Sequence, residues 1–206
     1  MVRSAQFSRD DVAQAAFLVV RKDGLGNLSA RRVAQELGSS TAPVYSNFAS
    51  MDELEAAVFA MAADKLLKFA TQGPTDNPFL NMGIGVLRYA WECPRWYMAF
   101  STNQEYGQPH LQKVVGDLLE IMAEIPQLAD LSLLERKLLL RKMGIFTHGL
   151  ALEICTGDVE FQTMEDFFQV LEEVGGALTA DAVQRHPRPD RDLERMATPS
   201  WEIGPQ

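Results

Sequence analysis

Apolar and polar residues repeat at helical spacing along nearly the whole chain, and no segment alternates them strictly as a half-buried strand does. The first helix is predicted to start after Ser8, with Asp11 completing a capping box, and to end at Gly24. Its buried stripe, at the i, i+3, i+4, i+7 spacing, consists of Val12, Ala15, Ala16 and Val19. The pattern therefore predicts an all-α fold that begins with an amphipathic helix.

Two short helices follow, and a tight turn separates them. The second helix is predicted from about Ala30 to Leu37, and the third from Thr41 or Ala42 to about Phe48. Gly38 lies between them, where a sharp turn often needs a positive φ. Ala34 and Val44 supply small and apolar side chains at the crossing of the two helices. This arrangement is typical of a DNA-binding helix-turn-helix.

The outer faces of this segment carry short polar or methyl-bearing side chains, which suit base edges and phosphates in a major groove. The predicted DNA-binding residues are Ser29, Arg31, Arg32, Ser39, Ser40, Thr41, Ala42, Pro43, Tyr45, Ser46 and Asn47. Alternatively, the segment is an ordinary surface turn between two core helices. In that case Tyr45 should be half-buried.

Six further helices are predicted to form a larger body. Helix four begins with a capping box of Ser50 and Glu53 and connects the helix-turn-helix to the body. Helix five is apolar nearly all round, which predicts a central position, and its Gly83 and Gly85 leave room for a neighbouring backbone or a ligand. The predicted division is a helix-turn-helix DNA-binding head (1–48), a helical ligand-binding and dimerisation body (49–185) and a C-terminal tail (186–206).

Two sets of body residues are predicted to carry function. Methionine and aromatic side chains suit a pocket for an apolar or aromatic ligand, although each is equally compatible with plain core. The predicted pocket residues are Met61, Leu66, Phe69, Met82, Val86, Tyr89, Trp96, Phe100, Met122, Phe146 and His148. Two long final helices with small residues fit a four-helix bundle between two subunits. The predicted dimer interface comprises Ile145, Gly149, Leu152, Phe167, Leu171, Val174 and Leu178.

The distribution of charge matters more than its sum. The 206-residue chain has a formal net charge of −9, which by itself disfavours DNA as a partner. Residues 1–50, however, carry six basic and four acidic residues, a net charge of +2, and the remainder carries −11. The helix-turn-helix therefore lies in the one segment that tolerates a polyanion.

Other classes of function find little support in the sequence. No apolar run approaches the roughly 18–20 residues of a membrane span, and the first residues lack the apolar region of a signal peptide. Cys93 and Cys155 are far apart and fit two reduced thiols. His110, His148 and His186 stand alone, without a catalytic or metal-binding motif. We therefore expect a cytoplasmic protein that is not an enzyme and has no catalytic residues, metal or cofactor.

Phe7 to about Val58 resembles the N-terminal domain of the TetR (tetracycline-repressor-like) family of bacterial transcription regulators. The residues that carry the resemblance are Gly24, Leu28-Ser29, Val33-Ala34, Leu37-Gly38-Ser39, Val44-Tyr45-Ser46-Asn47-Phe48 and Asp52-Glu53-Leu54. The resemblance implies a homodimeric, ligand-responsive repressor with one DNA-binding head per subunit. The family often has a phosphate-binding lysine where this chain has Met51. Its loss would transfer phosphate binding to Ser29, Arg31, Arg32, Tyr45 and an arm containing Arg3 and Arg9.

The sequence therefore predicts a homodimeric repressor of a pseudo-palindromic, double-stranded DNA operator. A small-molecule effector bound in the body would tilt helix four and change the distance between the heads. Two alternatives stay open. In the first alternative, the chain is an all-helical small-molecule-binding or enzymatic protein whose helix-turn-helix only packs. In the second, it binds DNA as an activator, or as a regulator without a ligand.

Overall fold

The computed structural model describes residues 7–157 and 163–186, and within these ranges every regular element is helical. The α-helices are α1 Arg9–Asp23, α2 Ala30–Glu36, α3 Ala42–Asn47, α4 Met51–Thr71, α5 Pro78–Glu92, α6 Pro94–Thr102, α7 Gly107–Ala123, α8 Leu133–Thr156 and α9 Met164–Gln184, with a 3-10 turn at Leu25–Asn27. The all-α prediction is confirmed. Arg3 and the predicted tail beyond His186 lie outside the described residues.

The helix starts follow the local signals in the sequence. The Ser8 hydroxyl accepts a hydrogen bond from the Asp11 backbone N–H at 3.1 Å, and the Asp11 carboxylate accepts one from the Ser8 N–H at 2.8 Å. This reciprocal pair satisfies two of the N–H groups that a helix start leaves without a partner. The same pair begins α8 at Ser132 and α9 at Thr163.

Helix α5 lies at the centre of the body and packs against α4, α6, α8 and α9. Its close contact with α4 depends on Gly85, because a Cβ at that position would overlap the backbone carbonyl of Phe69. A Cβ on Gly83 would meet the Leu171 side chain of α9 at 2.8 Å. The two glycines therefore set how closely α4 and α9 approach α5.

No described helix combines the length and apolarity that a membrane span requires.

The predicted dimer residues fall on two different faces of the last helices. Phe167 and Leu171 are 1% and 0% exposed, because α9 uses its apolar face to pack on α5 and α8 within one chain. These two residues are therefore core residues, which corrects the predicted interface. Ile145 is 67% exposed and Gly149 is also exposed. The remaining members are half-buried, namely Leu152, Val174 and Leu178.

The predicted pocket residues lie mostly in closed core. The buried members are Leu66, Met82, Tyr89, Trp96, Phe100 and Met122, and the half-buried ones are Met61, Phe69, Val86, Phe146 and His148. The His148 Nδ1 atom pairs with the Tyr97 hydroxyl at 2.9 Å, so the ring has a structural partner.

Two cavities open elsewhere among the described residues, and neither is lined by a predicted pocket residue. One, of about 310 Å³, lies beside Trp91, Arg88 and Phe168. The other, of about 540 Å³, lies beside Phe79, Met143 and Gly175.

Gly85→Ala is expected to lower the free energy of unfolding by about 1–3 kcal/mol, because the new methyl group has to push α4 away from α5. Chemical denaturation followed by circular dichroism measures the change. Gly116→Ala in α7 is the matched control, since a Cβ there meets nothing within 4 Å. It should raise stability by about 0.5–1 kcal/mol. Equal stability of the two variants would contradict the close contact.

Candidate nucleic-acid interface

Helices α1, α2 and α3 form a small unit in which α2 and α3 are joined by a tight turn. Gly38 has a φ of 63°, and the Ser39 N–H donates to the Ala34 carbonyl at 2.9 Å, which closes the end of α2. Val44 and Phe48, four residues apart, are 1% and 2% exposed and turn the inner side of α3 toward α1. The turn predicted at Gly38 is therefore present in this conformation.

The outer side of α3 is open to solvent. Tyr45 is 60% exposed, which differs from the half-buried position expected for an ordinary core turn. The other exposed residues of the turn and of α3 are Ser39, Ser40, Thr41, Ala42 and Ser46, and Pro43 is half-buried. Together these residues expose the hydroxyl groups of three serines, a threonine and a tyrosine beside the small apolar Ala42 and Pro43, which suits contact with the edges of a groove.

Asn47 differs from the other predicted contact residues. Its side-chain amide donates to the Pro43 carbonyl at 2.8 Å and to the Phe7 carbonyl at 3.2 Å, and the residue is half-buried. Both donor hydrogens are therefore used inside the protein. Asn47 ties α3 to Phe7, two residues before α1, and the DNA contact predicted for it from the sequence cannot be made through its amide hydrogens in this geometry. Ser29 caps α2 by accepting from the Arg32 N–H at 3.4 Å.

Much of the positive charge of the head is paired with carboxylates. Arg32 lies 2.8 Å from Asp23, Lys22 lies 2.6 Å from Glu36, and Arg9 lies 2.8 Å from Glu53. Among the described residues, Arg31 is exposed on α2 and makes no ion pair. Exposed pairs contribute at most about 1 kcal/mol each, so a phosphate can compete for an arginine that has a single carboxylate partner. Arg31 and Arg32 therefore stay candidates for phosphate contact.

The head is joined to the body through α6 as well as α4. The Trp96 indole N–H donates to the Phe17 carbonyl of α1 at 3.1 Å, and the two rings stack with centroids 5.2 Å apart. Phe59 of α4 meets the edge of the same indole at 5.4 Å. Trp96 was expected to line a ligand pocket and instead joins α1, α4 and α6. Phe17 and Trp96 are 79 residues apart, so no periodicity in the sequence indicates that they meet.

The described residues contain no group of three histidine, cysteine, aspartate or glutamate side chains placed to hold a metal ion. Cys93 is buried, and burial raises the pKa of its thiol, which lowers its reactivity.

Comparison with known proteins places this geometry in a recognised fold. No protein-family profile matches the chain, and no curated protein matches it. A solved TetR-family transcriptional regulator from Streptomyces coelicolor superposes with a TM-score of 0.65 at 16% identity, over 92% of this chain and 86% of that one. A transcriptional regulator from Rhodococcus sp. Rha1 superposes with a TM-score of 0.57 at 20% identity, over 86% and 97%. The chain therefore has the fold found in TetR-family regulators.

Trp96→Phe is expected to lower the free energy of unfolding by about 2–3 kcal/mol, because the fully buried indole loses both its hydrogen bond to Phe17 and the volume of one ring. Trp91→Phe is the control, since Trp91 is 54% exposed and should tolerate the change. Denaturant titration of the two variants measures the difference. If Trp96→Phe were as stable as Trp91→Phe, the hydrogen bond between head and body would carry no weight.

Proposed function

We propose that this chain is a TetR-family transcriptional regulator that binds double-stranded DNA through α3. The observation that carries the proposal is the solvent-exposed outer side of α3, which follows the tight turn at Gly38. The chain also has the fold of such regulators. In this proposal residues 1–48 are the DNA-binding head and residues 49–185 the ligand-binding and dimerisation body. The protein acts in the cytoplasm.

Docking α3 in a major groove accounts for the exposed side chains in turn. The groove admits one helix, and Thr41, Ala42 and Ser46 are short enough to approach base edges or thymine methyl groups. The Tyr45 hydroxyl and the serines of the turn reach phosphate oxygens on one side of the groove. Arg31 supplies charge from α2. The local positive charge of residues 1–50 favours this approach over any other face of the acidic chain.

We further propose that two copies pair through the outer faces of α8 and α9. Ile145 is the most exposed large apolar side chain among the described residues, and Val183 of α9 is 46% exposed. The exposed Gly144, Gly149 and Gly176 would leave open space for a neighbouring helix. A symmetric pair places its two α3 helices in successive major grooves, about 34–36 Å apart, and so requires a pseudo-palindromic operator.

The proposed homodimer acts as a repressor, and an apolar or aromatic effector in the body releases it. The Tyr89 hydroxyl is fully buried and has no hydrogen-bond partner among the described residues, so it is a polar group that an effector would reach only if the closed core around it opened. Burial also raises the pKa of Tyr89, so the phenol is protonated and able to donate. By linkage, an effector that weakens DNA binding is itself bound more weakly by the DNA complex, by the same factor.

The rival hypothesis, an all-helical ligand-binding or enzymatic protein with a purely structural helix-turn-helix, makes the opposite prediction for DNA. Such a protein would bind its ligand or turn over its substrate with no effect of DNA. The 60% exposure of Tyr45 favours the DNA-binding proposal, because a helix-turn-helix that serves only packing has no reason to present an aromatic ring to solvent.

Tyr45→Ala and Thr41→Ala are each expected to weaken DNA binding by about tenfold, because each removes an exposed contact. A band-shift titration with duplex fragments flanking the native gene, against random duplex of equal length, measures the change. Thermal stability should stay near that of the unchanged protein, since neither side chain is buried. Gln112→Ala, an exposed change in α7, is the control. Absence of a salt-sensitive, sequence-dependent complex with the unchanged protein would reject the proposed function.

Ile145→Asp is expected to convert the dimer into a folded monomer, because it places a charge in the centre of the proposed apolar contact. Light scattering coupled to size exclusion measures the mass, and circular dichroism checks the fold. Val115→Asp is the matched control on α7, where valine is 40% exposed outside the proposed interface. A dimer that survives Ile145→Asp but not Val115→Asp would place the contact on α7.

A further inference from the structure

Arg9 is the first residue of α1 and lies where α1 meets the end of α3 and the start of α4. We propose that Arg9 is a positioning residue that fixes α3 to the start of α4, and that it is not one of the phosphate contacts of the head. This inference rests on the proposed function, because the orientation of α3 matters only if α3 enters DNA. It also changes the expectation from the sequence, in which Arg9 belonged to a phosphate-binding arm.

Three contacts hold the guanidinium of Arg9 at once. One terminal nitrogen, Nη1, donates to the backbone carbonyl of Asn47 at 2.6 Å, and the other, Nη2, donates to a Glu53 carboxylate oxygen at 2.8 Å. The guanidinium carbon lies 3.9 Å from the centre of the Phe48 ring, which is 2% exposed. The Asn47 carbonyl belongs to the last residue of α3, where carbonyl groups have no partner within the helix. Arg9 therefore supplies the partner that the end of α3 lacks.

Glu53 is fixed from its other side as well. Its second carboxylate oxygen accepts from the Ala49 backbone N–H at 2.7 Å. The Ser50 hydroxyl accepts from the Glu53 N–H at 3.1 Å, so the capping box predicted at Ser50 forms in one direction and the carboxylate turns to Ala49 and Arg9 instead. The hydrogen bonds from Ala49 and from Arg9 hold the pKa of the Glu53 carboxyl below its ordinary value. The carboxylate thus stays charged opposite Arg9.

The junction is closed on the far side by the side chain of Asn47, which reaches the Phe7 carbonyl ahead of α1. Residues 48–50 are the only link between the end of α3 and the start of α4 along the chain. With Arg9 and Asn47 in place, a tilt of α4 carries α3 with it. Without them, the angle between α3 and α4 would be held only by the three-residue link and by the packing of Val44 and Phe48.

The paired arginine of α2 shows why Arg9 is different. Arg32 has one carboxylate partner and a long 3.5 Å contact with the Gln35 side chain, both at the exposed surface, and can exchange them for a phosphate. Arg9 would have to give up a helix-end carbonyl and a carboxylate to do the same. A planar guanidinium can bridge two acceptors and lie on a ring, whereas a lysine ammonium acts as a point charge. Lysine is therefore expected to replace a phosphate-binding arginine but not this one.

The salt dependence of DNA binding separates the two roles. Each lost phosphate contact reduces the slope of log affinity against log salt by about 1. We propose fluorescence anisotropy, over a series of salt concentrations, on a flanking-DNA duplex that the unchanged protein shifts. Arg9→Gln and Arg9→Lys should both weaken binding by about tenfold with an unchanged slope. Arg31→Gln, the matched control, should reduce the slope by about 1.

Hydrogen exchange of the DNA-free protein gives a second readout. Both Arg9 variants should speed exchange at the backbone amides of α3, with α5 and α9 unchanged, whereas loss of a phosphate contact would leave exchange as it was. Glu53→Gln should speed exchange in α3 in the same way. The double variant with Arg9→Gln and Glu53→Gln should exchange little faster than either single variant, because both changes break the same contact. Normal DNA binding by Arg9→Lys, or a reduced slope in Arg9→Gln, would overturn the inference and leave the proposed function standing. Failure of the unchanged protein to bind any DNA would reject the proposed function, while unchanged exchange in both variants would reject the junction by itself.

Discussion

The contact on which the rest of the structure depends is the close approach of α4 and α5 at Gly85. The backbone of α5 lies directly against the carbonyl of Phe69, with no side chain between them. Helix α4 is 21 residues long, and its other end carries Leu54 and Val58 into the core beneath α1. Fixing one end of α4 against α5 therefore also fixes the position of α1, which packs on α4.

Many of the positive charges in the head are paired within the protein. The acidic chain keeps a positive excess in residues 1–50, yet several of these cations are bound to carboxylates of the same segment or of α4. The net positive excess of residues 1–50, and not the paired charges, is what attracts a polyanion to this segment. Net charge from the sequence thus indicates which segment tolerates a polyanion, while the pairing decides which of its side chains are free to touch one.

The sequence predicted the helices well because their signals are local. Capping boxes at Ser8, Ser132 and Thr163 and the glycine turn at Gly38 each involve residues at most five apart, and each is present in the structure. The roles of side chains were harder to predict, because they depend on partners far along the chain. Trp96 meets Phe17, and Leu171 meets α5 at Gly83, through packing that no periodicity records. Asn47 is a residue type that often contacts bases, and only the structure shows that its amide donates to the Phe7 carbonyl instead.

The bond between Trp96 and the carbonyl of Phe17 bears on how far this protein is modular. Helix-turn-helix heads are natural candidates for exchange between regulators, with the cut placed before the connecting helix. Here the apolar core is continuous from Val12 to Ala182, and an indole of the body covers the middle of α1. A head transplanted onto another body would expose the Phe17 ring. The new body would need an aromatic side chain that stacks on this ring and donates to the Phe17 carbonyl. Compatible exchange partners are therefore chains that carry a tryptophan or an equivalent donor at the start of their sixth helix.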